Sequence, residues 1–145
     1  MNINLVLIII QTIAVITTLI SVILIYKTIK SNERLNQRIL FSNITKEERE
    51  IRIKFQEYGE KMKNKKISEK EKLIFTYETI LFNYYEYLAI CLYKNLINES
   101  ETKLYFKNLL VSVKRMFESS LLFEKGAAKK QEYKVMQWLF KHWKI

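Results

Sequence analysis

The sequence predicts an all-α protein: one N-terminal transmembrane helix with a stalk leading to a small cytosolic helical domain. Three observations predict it. Pro is absent and Gly occurs only at Gly59 and Gly126, so the punctuation of hairpins and sheets is nearly missing. Residues 5–26 form 22 positions without a charge, fifteen of them Leu, Ile or Val. Beyond them, apolar residues recur at helical spacing between clusters of capping residues. The organisation expected is a transmembrane helix over 1–26, a basic juxtamembrane helical stalk over 27–66 and a helical domain over 67–145.

At 1.5 Å per residue the uncharged stretch spans ~33 Å, close to the ~30 Å of a bilayer's hydrocarbon core. Its aliphatic residues outweigh the polar minority of Gln11, Thr12, Thr17, Thr18 and Ser21 on an insertion scale. It lacks the leading basic residue, the short apolar core and the small-x-small site of a cleaved signal peptide, so an uncleaved anchor is expected. No Lys or Arg precedes the helix, while Lys27, Lys30, Arg34 and Arg38 follow it. The positive-inside rule then places the N-terminus outside and the C-terminus in the cytosol of a bacterial inner membrane, with Tyr26 and Lys27 at the inner interface.

Within the span, Gln11, Ala14, Thr18 and Ser21 follow a 3, 4, 3 spacing, which aligns small and polar side chains along one seam. Leu7 and Ile25 continue the seam, and Thr17 flanks it. A homo-oligomer would bury this face; polar glue between non-conducting helices and the lining of a pore are both consistent with it.

The stalk, Lys27 to Asn43, is polar but helix-compatible, so the membrane helix is expected to continue through it. Thr45-Lys46-Glu47-Glu48 has the form of a capping box that starts or restarts a helix ending near Gly59 to Asn64. There Ile51, Phe55 and Tyr58 share a face, with Ile53 apart. Ser68-Glu69-Lys70-Glu71 repeats the box and is expected to open the core helix, which runs to about Leu96 with Leu73, Tyr77, Ile80, Leu81, Tyr84, Leu88, Cys91 and Leu92 at helical period. Phe75, Phe82, Tyr85 and Ile90 extend its apolar character. Glu78, Asn83 and Glu86 argue against a second crossing, since a carboxylate at mid-bilayer costs ~2.5 to 3.5 kcal/mol.

Asn98-Glu99-Ser100-Glu101 reads as a turn with capping residues. Phe106, Leu109, Leu110, Val113, Met116, Phe117, Leu121 and Leu122 then mark an amphipathic helix expected to pair antiparallel with the core helix. Gly126 fits a helix C′ position, and a final helix is expected from about Ala128, carrying Tyr133, Val135, Met136, Trp138, Leu139, Phe140 and Trp143.

The net charge of +10 divides into +6 over 27–66, −1 over 67–124 and +5 over 125–145. The basic excess therefore flanks a nearly neutral core. Lys27, Lys30, Arg34 and Arg38, with Lys129, Lys130 and Lys134 beside Trp138, fit contacts to anionic lipid headgroups. They equally fit an oligonucleotide or nucleotide ligand whose bases stack on Trp138 or Trp143, and solvated surface charge is a third account.

No catalytic role is expected. Cys91 is the only cysteine and His142 the only histidine, which excludes an internal disulfide and a Cys/His zinc site within one chain. No cofactor or metal is expected. Glu78 and Glu86 lie ~80° apart on one helix, without a nucleophile-base pair, a phosphate-cradling Gly loop or metal-ligand spacing. Asn83 and Glu86 are expected to hydrogen-bond a neighbouring helix, Glu78 to be solvated, Cys91 to be a small buried hydrophobe, and His142 to be superficial or interfacial.

The segment Leu81-Phe82-Asn83-Tyr84-Tyr85-Glu86-Tyr87-Leu88-Ala89, followed by Lys94-Asn95-Leu96-Ile97-Asn98-Glu99, is similar to a helix-turn pattern in bacterial single-pass membrane proteins of unknown function. Together with the order of the parts, the chain from Lys72 to about Leu122 resembles membrane effectors of phage-defence systems, such as the Hailong-type channel effector. The resemblance implies an oligomeric membrane channel held closed by an oligonucleotide that a partner nucleotidyltransferase makes. It carries over no individual ligand-binding residue. The function expected is a homo-oligomeric membrane effector, a gated pore or membrane-disrupting protein; the alternative is a non-conducting, membrane-tethered adaptor for protein, nucleic acid or anionic lipid.

Overall fold

The first helix runs on without a stop signal, because the chain offers no Pro and no Gly before Gly59. The computed structural model describes residues 3–63 and 65–145, with side chains in the first helix described from residue 9 onward. The described residues form helices and contain no strand. The elements are α1 (Ile3–Met62), α2 (Ile67–Tyr93), α3 (Glu99–Glu118), α4 (Leu121–Glu124), a 3-10 turn (Lys130–Tyr133) and α5 (Lys134–His142).

The chain divides into two compact units, Met1–Arg38 and Ile39–Ile145. In the first unit every described side chain through Asn36 is exposed, so this part of α1 contributes no buried core. It is the one described helix long and apolar enough to cross a membrane.

The second unit begins at Ile39, not at 67 as the composition suggested. The reason is packing: Ile44 and Ile51, placed in the stalk by the sequence, are 1% and 6% exposed and belong to the core. Two expected helix starts are also corrected. Thr45 caps nothing; its hydroxyl donates to the Ser42 carbonyl at 2.9 Å inside a continuous helix. Ser68 lies in the first turn of α2, whose N-cap position is Lys66 and makes no side-chain capping bond. The expected helix end at Asn64 lies outside the described residues.

The Tyr84 hydroxyl donates to the Ile44 carbonyl at 2.8 Å, and Phe55 stacks on Tyr77 with ring centroids 4.2 Å apart. Residue numbers fall along α2 as they rise along α1, so the two helices run antiparallel. Tyr85 meets the ring of Phe106, and Phe82 that of Phe117, giving α3 the antiparallel course expected of it. Phe82 is fully buried, ringed by Phe117, Phe123 and Tyr133 at 5.3 to 5.8 Å, and this aromatic knot joins α2 to everything after it. Offset and edge-on ring pairs of this kind add ~0.5 to 1.5 kcal/mol each beyond burial.

Helix ends follow local rules more closely than starts. The Asn98 side chain caps α3 by accepting the Glu101 N–H at 3.0 Å. Three helices close with a left-handed residue after the C-cap: Asn95 (φ 55°), Gly126 (φ 70°) and Lys144 (φ 52°). At each, the two backbone bonds of a Schellman motif form, as in Leu96 N–H to the Cys91 carbonyl and Asn95 N–H to that of Leu92. The core helix thus stops at Tyr93, short of the expected Leu96. The helix expected to include Leu121 and Leu122 ends at Glu118, and those two residues open α4; the final helix starts at Lys134 after the 3-10 turn.

Candidate functional site

The apolar half of α1 is the first candidate site. Gln11, Ala14, Thr18 and Ser21 fall within an arc of ~80° at 100° per residue, and all four are exposed. The hydroxyls are not loose: Thr17 donates to the Ile13 carbonyl at 2.8 Å, Thr18 to Ala14 at 2.8 Å and Ser21 to Thr17 at 2.9 Å. Such i−4 bonds satisfy the donors without a second helix, which lowers the cost of a polar seam in hydrocarbon. Leu7, at the N-terminal end of the seam, lies outside the described side chains. Lys27, Lys30, Arg34 and Arg38 are exposed after the apolar stretch, and the Lys30 ammonium lies 5.9 Å from the centre of the Tyr26 ring.

The C-terminal basic set is not one cluster. Lys134 and Trp138 are one turn apart on α5, and Lys129 precedes the 3-10 turn. Lys130 turns away from them: its ammonium donates to the Glu118 carbonyl at 3.2 Å and lies over the rings of Phe117 and Phe123. Trp138 is half-buried, edge-on to Tyr93 at 5.1 Å and stacked on His142 at 4.7 Å. Trp143 is 2% exposed and its indole N–H donates to Glu99 at 2.9 Å, so the expected stacking on a base does not apply to it.

The carboxylates of Glu78 and Glu86 on α2 are structural acceptors. Glu86 accepts the N–H groups of Val135 at 3.1 Å and Met136 at 2.7 Å, capping α5 from another helix. Glu78, expected to be solvated, is 7% exposed and accepts from the Ser120 hydroxyl at 2.8 Å and the Leu122 N–H at 3.0 Å. It caps α4 and fixes the break after α3. The correction has a physical cause: four N–H groups at a helix start need acceptors, and a carboxylate on the neighbouring helix serves both the donors and the dipole. Asn83 is exposed instead and borders a groove. Cys91 is 1% exposed, and burial pushes its thiol up from the ordinary value. His142 sits at an interface, its Nε2 2.8 Å from Glu99.

Glu48 is the feature that sequence reasoning missed. It is 2% exposed, with one oxygen 2.8 Å from Arg52 Nε and the other buried without a hydrogen-bond partner. Burial holds its carboxyl above the ordinary value, against the opposing pull of Arg52 and Arg49. Its charge in turn adds to burial in raising the hydroxyls of Tyr77, to about 12, and of Tyr84 and Tyr85. The signal was present: Ile44, Glu48 and Ile51 fall on one helical stripe, which places the carboxylate within an apolar face.

Beside this stripe, α1 and α2 border an open groove of about 630 Å³ lined by Glu47, Glu50, Lys54, Asn83, Tyr84 and Tyr87, among others. No group of His, Cys, Asp and Glu able to hold a metal occurs among the described residues. Scans against protein-family models, curated proteins and solved structures return no match to this chain.

Proposed function

We propose that the chain is a homo-oligomeric membrane effector, a gated pore or membrane-disrupting protein governed through its helical domain. The observation that carries this is the seam: a helix long and apolar enough to span a bilayer, exposed on all sides, with Gln11, Ala14, Thr18 and Ser21 along one arc. A lone helix would turn that arc to lipid, whereas several copies bury it together. The one helix α1 carries both this seam and, in its second half, the core residues Ile44 and Ile51. The phage-defence setting, with an oligonucleotide ligand and a partner nucleotidyltransferase, rests on the resemblance of 81–89 and 94–99. In this fold the resembling residues Tyr84, Tyr85, Leu88 and Ala89 are buried core and Glu86 is a cap.

Expression of the full chain should depolarise bacterial cells or arrest growth, and the purified chain should conduct in planar bilayers. A monomer that is silent in bilayers under every ligand condition overturns the proposal. Topology is tested with an impermeant thiol reagent, since Cys91 is buried: a cysteine tag at the N-terminus should label in intact cells and one at the C-terminus should not.

A second reading, a tethered adaptor, draws on the groove with Glu47, Glu50 and Tyr87, whose carboxylates and exposed ring suit a basic peptide side chain. Oligomerisation without conductance, with peptide binding lost in Glu47→Ala, favours it.

A further inference from the structure

Within the unit Ile39–Ile145, one end gathers apolar side chains left open to solvent and lysines beside them. Since α2 runs antiparallel to the second half of α1, its C-terminal residue Tyr93 lies at the end where α1 comes in at Ile39. The start of α3 belongs to the same end, because Phe41 meets the rings of both Tyr105 and Phe106. The last turn of α5 joins it through Trp138 on Tyr93 and through His142 and Trp143 on Glu99.

This end is apolar where solvent should be. Leu104 is 90% exposed, Tyr93 62% and Leu96 46%, and the half-buried Trp138 ring stands beside Tyr93. Leu104 has no part in the buried face of α3, formed by Phe106, Leu110, Val113 and Phe117. Lysines alternate with these side chains: Lys94 follows Tyr93, and Lys107 and Lys103, whose ammonium also lies 5.8 Å from the centre of the Trp143 ring, border a shallow groove with Leu104. Of the nearby acids, Glu99 is engaged by His142 and Trp143, and Glu101 remains exposed.

We infer that this end of the helical domain is a membrane-docking face, which sets Leu104, Tyr93 and Trp138 into the headgroup region of an anionic bilayer while Lys94, Lys103 and Lys107 meet its charge. The inference rests on the reading of α1 as a membrane span. Large amphipathic rings and Leu flanked by lysines are the chemistry of interfacial contact. Only residues 27–38 separate the apolar stretch from Ile39, ~18 Å of helix, so a bilayer crossed by that stretch is the nearest anionic surface along the chain. Each lysine near an anionic surface is worth enough to shift a docking equilibrium about fivefold.

The test uses the full chain in phosphatidylcholine vesicles, with or without phosphatidylglycerol, carrying a quencher at headgroup depth. Trp143 is buried, so the difference between the parent and Trp138→Phe isolates Trp138 emission. That emission should be quenched in anionic vesicles, less so in pure phosphatidylcholine, and the docked-to-undocked ratio should fall about fivefold for each of Lys103→Gln and Lys107→Gln. Leu104→Ser, at an exposed site that the fold does not need, should lower quenching further. A second variant, Ile16→Trp in the Trp138→Phe background, reports insertion of the span through an acyl-chain quencher. Quenching at Ile16→Trp with none at Trp138 overturns docking alone; quenching at neither overturns the membrane span and docking together. Quenching of Trp138 that ignores all three substitutions, or oligonucleotide binding through Lys103 and Lys107 with no lipid dependence, overturns the docking face as well.

Discussion

The Glu86 carboxylate on α2 accepts the backbone N–H of Met136 at 2.7 Å, across 50 residues of chain. With the Val135 N–H on its other oxygen, it ties the start of α5 to the middle of the core helix. Hydrogen bonds to a charged group contribute ~1.5 to 3 kcal/mol, so Glu86→Ala should lower stability by ~2 kcal/mol in chemical denaturation. Glu86→Gln should cost less, since its amide oxygen still serves one donor. Hydrogen exchange at the Val135 and Met136 amides should accelerate in both variants before the rest of the core.

Glu48 should behave in the opposite sense. Its folded pKa is raised above 4.5, chiefly by burial, so between the unfolded and folded values the folded domain binds more protons than the unfolded chain. The contribution to stability is fully present below the unfolded value and is lost as pH rises through the folded one. Glu48→Gln should remove that pH dependence, and Glu48→Leu should raise stability near pH 7 by ~1 to 3 kcal/mol, since no buried carboxylate oxygen is then left unpaired. Denaturation midpoints of the three proteins between pH 4 and pH 8 decide it, and equal midpoints throughout would refute the burial argument.

Lys144 adopts φ 52° at the C′ position after α5, a conformation that costs a side chain ~1 kcal/mol relative to glycine. Lys144→Gly should therefore stabilise the domain by about that amount, raising the midpoint of thermal unfolding. Asn95 occupies the equivalent place after α2, and Asn95→Ala should be destabilising by a similar amount.

These residues show where a sequence is readable. Of the stripe Leu73, Tyr77, Ile80, Leu81, Tyr84, Leu88, Cys91 and Leu92, six members are buried because period and packing coincide there, whereas Leu73 is half-buried and Ile80 exposed. Asn98 and Gly126 act over a few residues, and local chemistry sufficed to place them. The break after α3 was invisible, since Leu121 and Leu122 stay close to the register of Phe117; what ends the helix is Glu78, distant in sequence, capping Ser120 and Leu122. Thr45 and Glu48 failed for the same reason. Their capping-box spelling is local, whereas the burial of Glu48 beneath tyrosines of α2 is set by tertiary packing. In the apolar half of α1, the seam of Gln11, Ala14, Thr18 and Ser21 was readable as an arc from spacing alone. The basic set around Trp138 was not, because Lys130 follows the aromatic knot of Phe117 and Phe123, which periodicity does not reveal.

The seam carries the sharpest prediction. Close approach of helices needs small side chains, so under the proposed self-association Ala14→Leu and Ser21→Leu should break the oligomer, while Ile9→Phe and Ile23→Phe, on the opposite side of the helix from the seam, should leave it intact. Chemical cross-linking in native membranes separates the two sets. The Thr18 hydroxyl donates to the Ala14 carbonyl within its own helix, and Thr18→Val removes it at nearly constant size, so that change acts through polarity. If the seam lines a pore, Thr18→Val should keep the oligomer and suppress conductance, since an apolar constriction dewets. Gln11→Leu then divides the outcomes: conductance lost with the oligomer kept marks a position on the water path, whereas loss of the oligomer marks an interhelical hydrogen bond worth ~1 kcal/mol per contact. A chain that stays monomeric in mild detergent and in bilayers, whichever seam residue is changed, would leave the tethered adaptor as the better account.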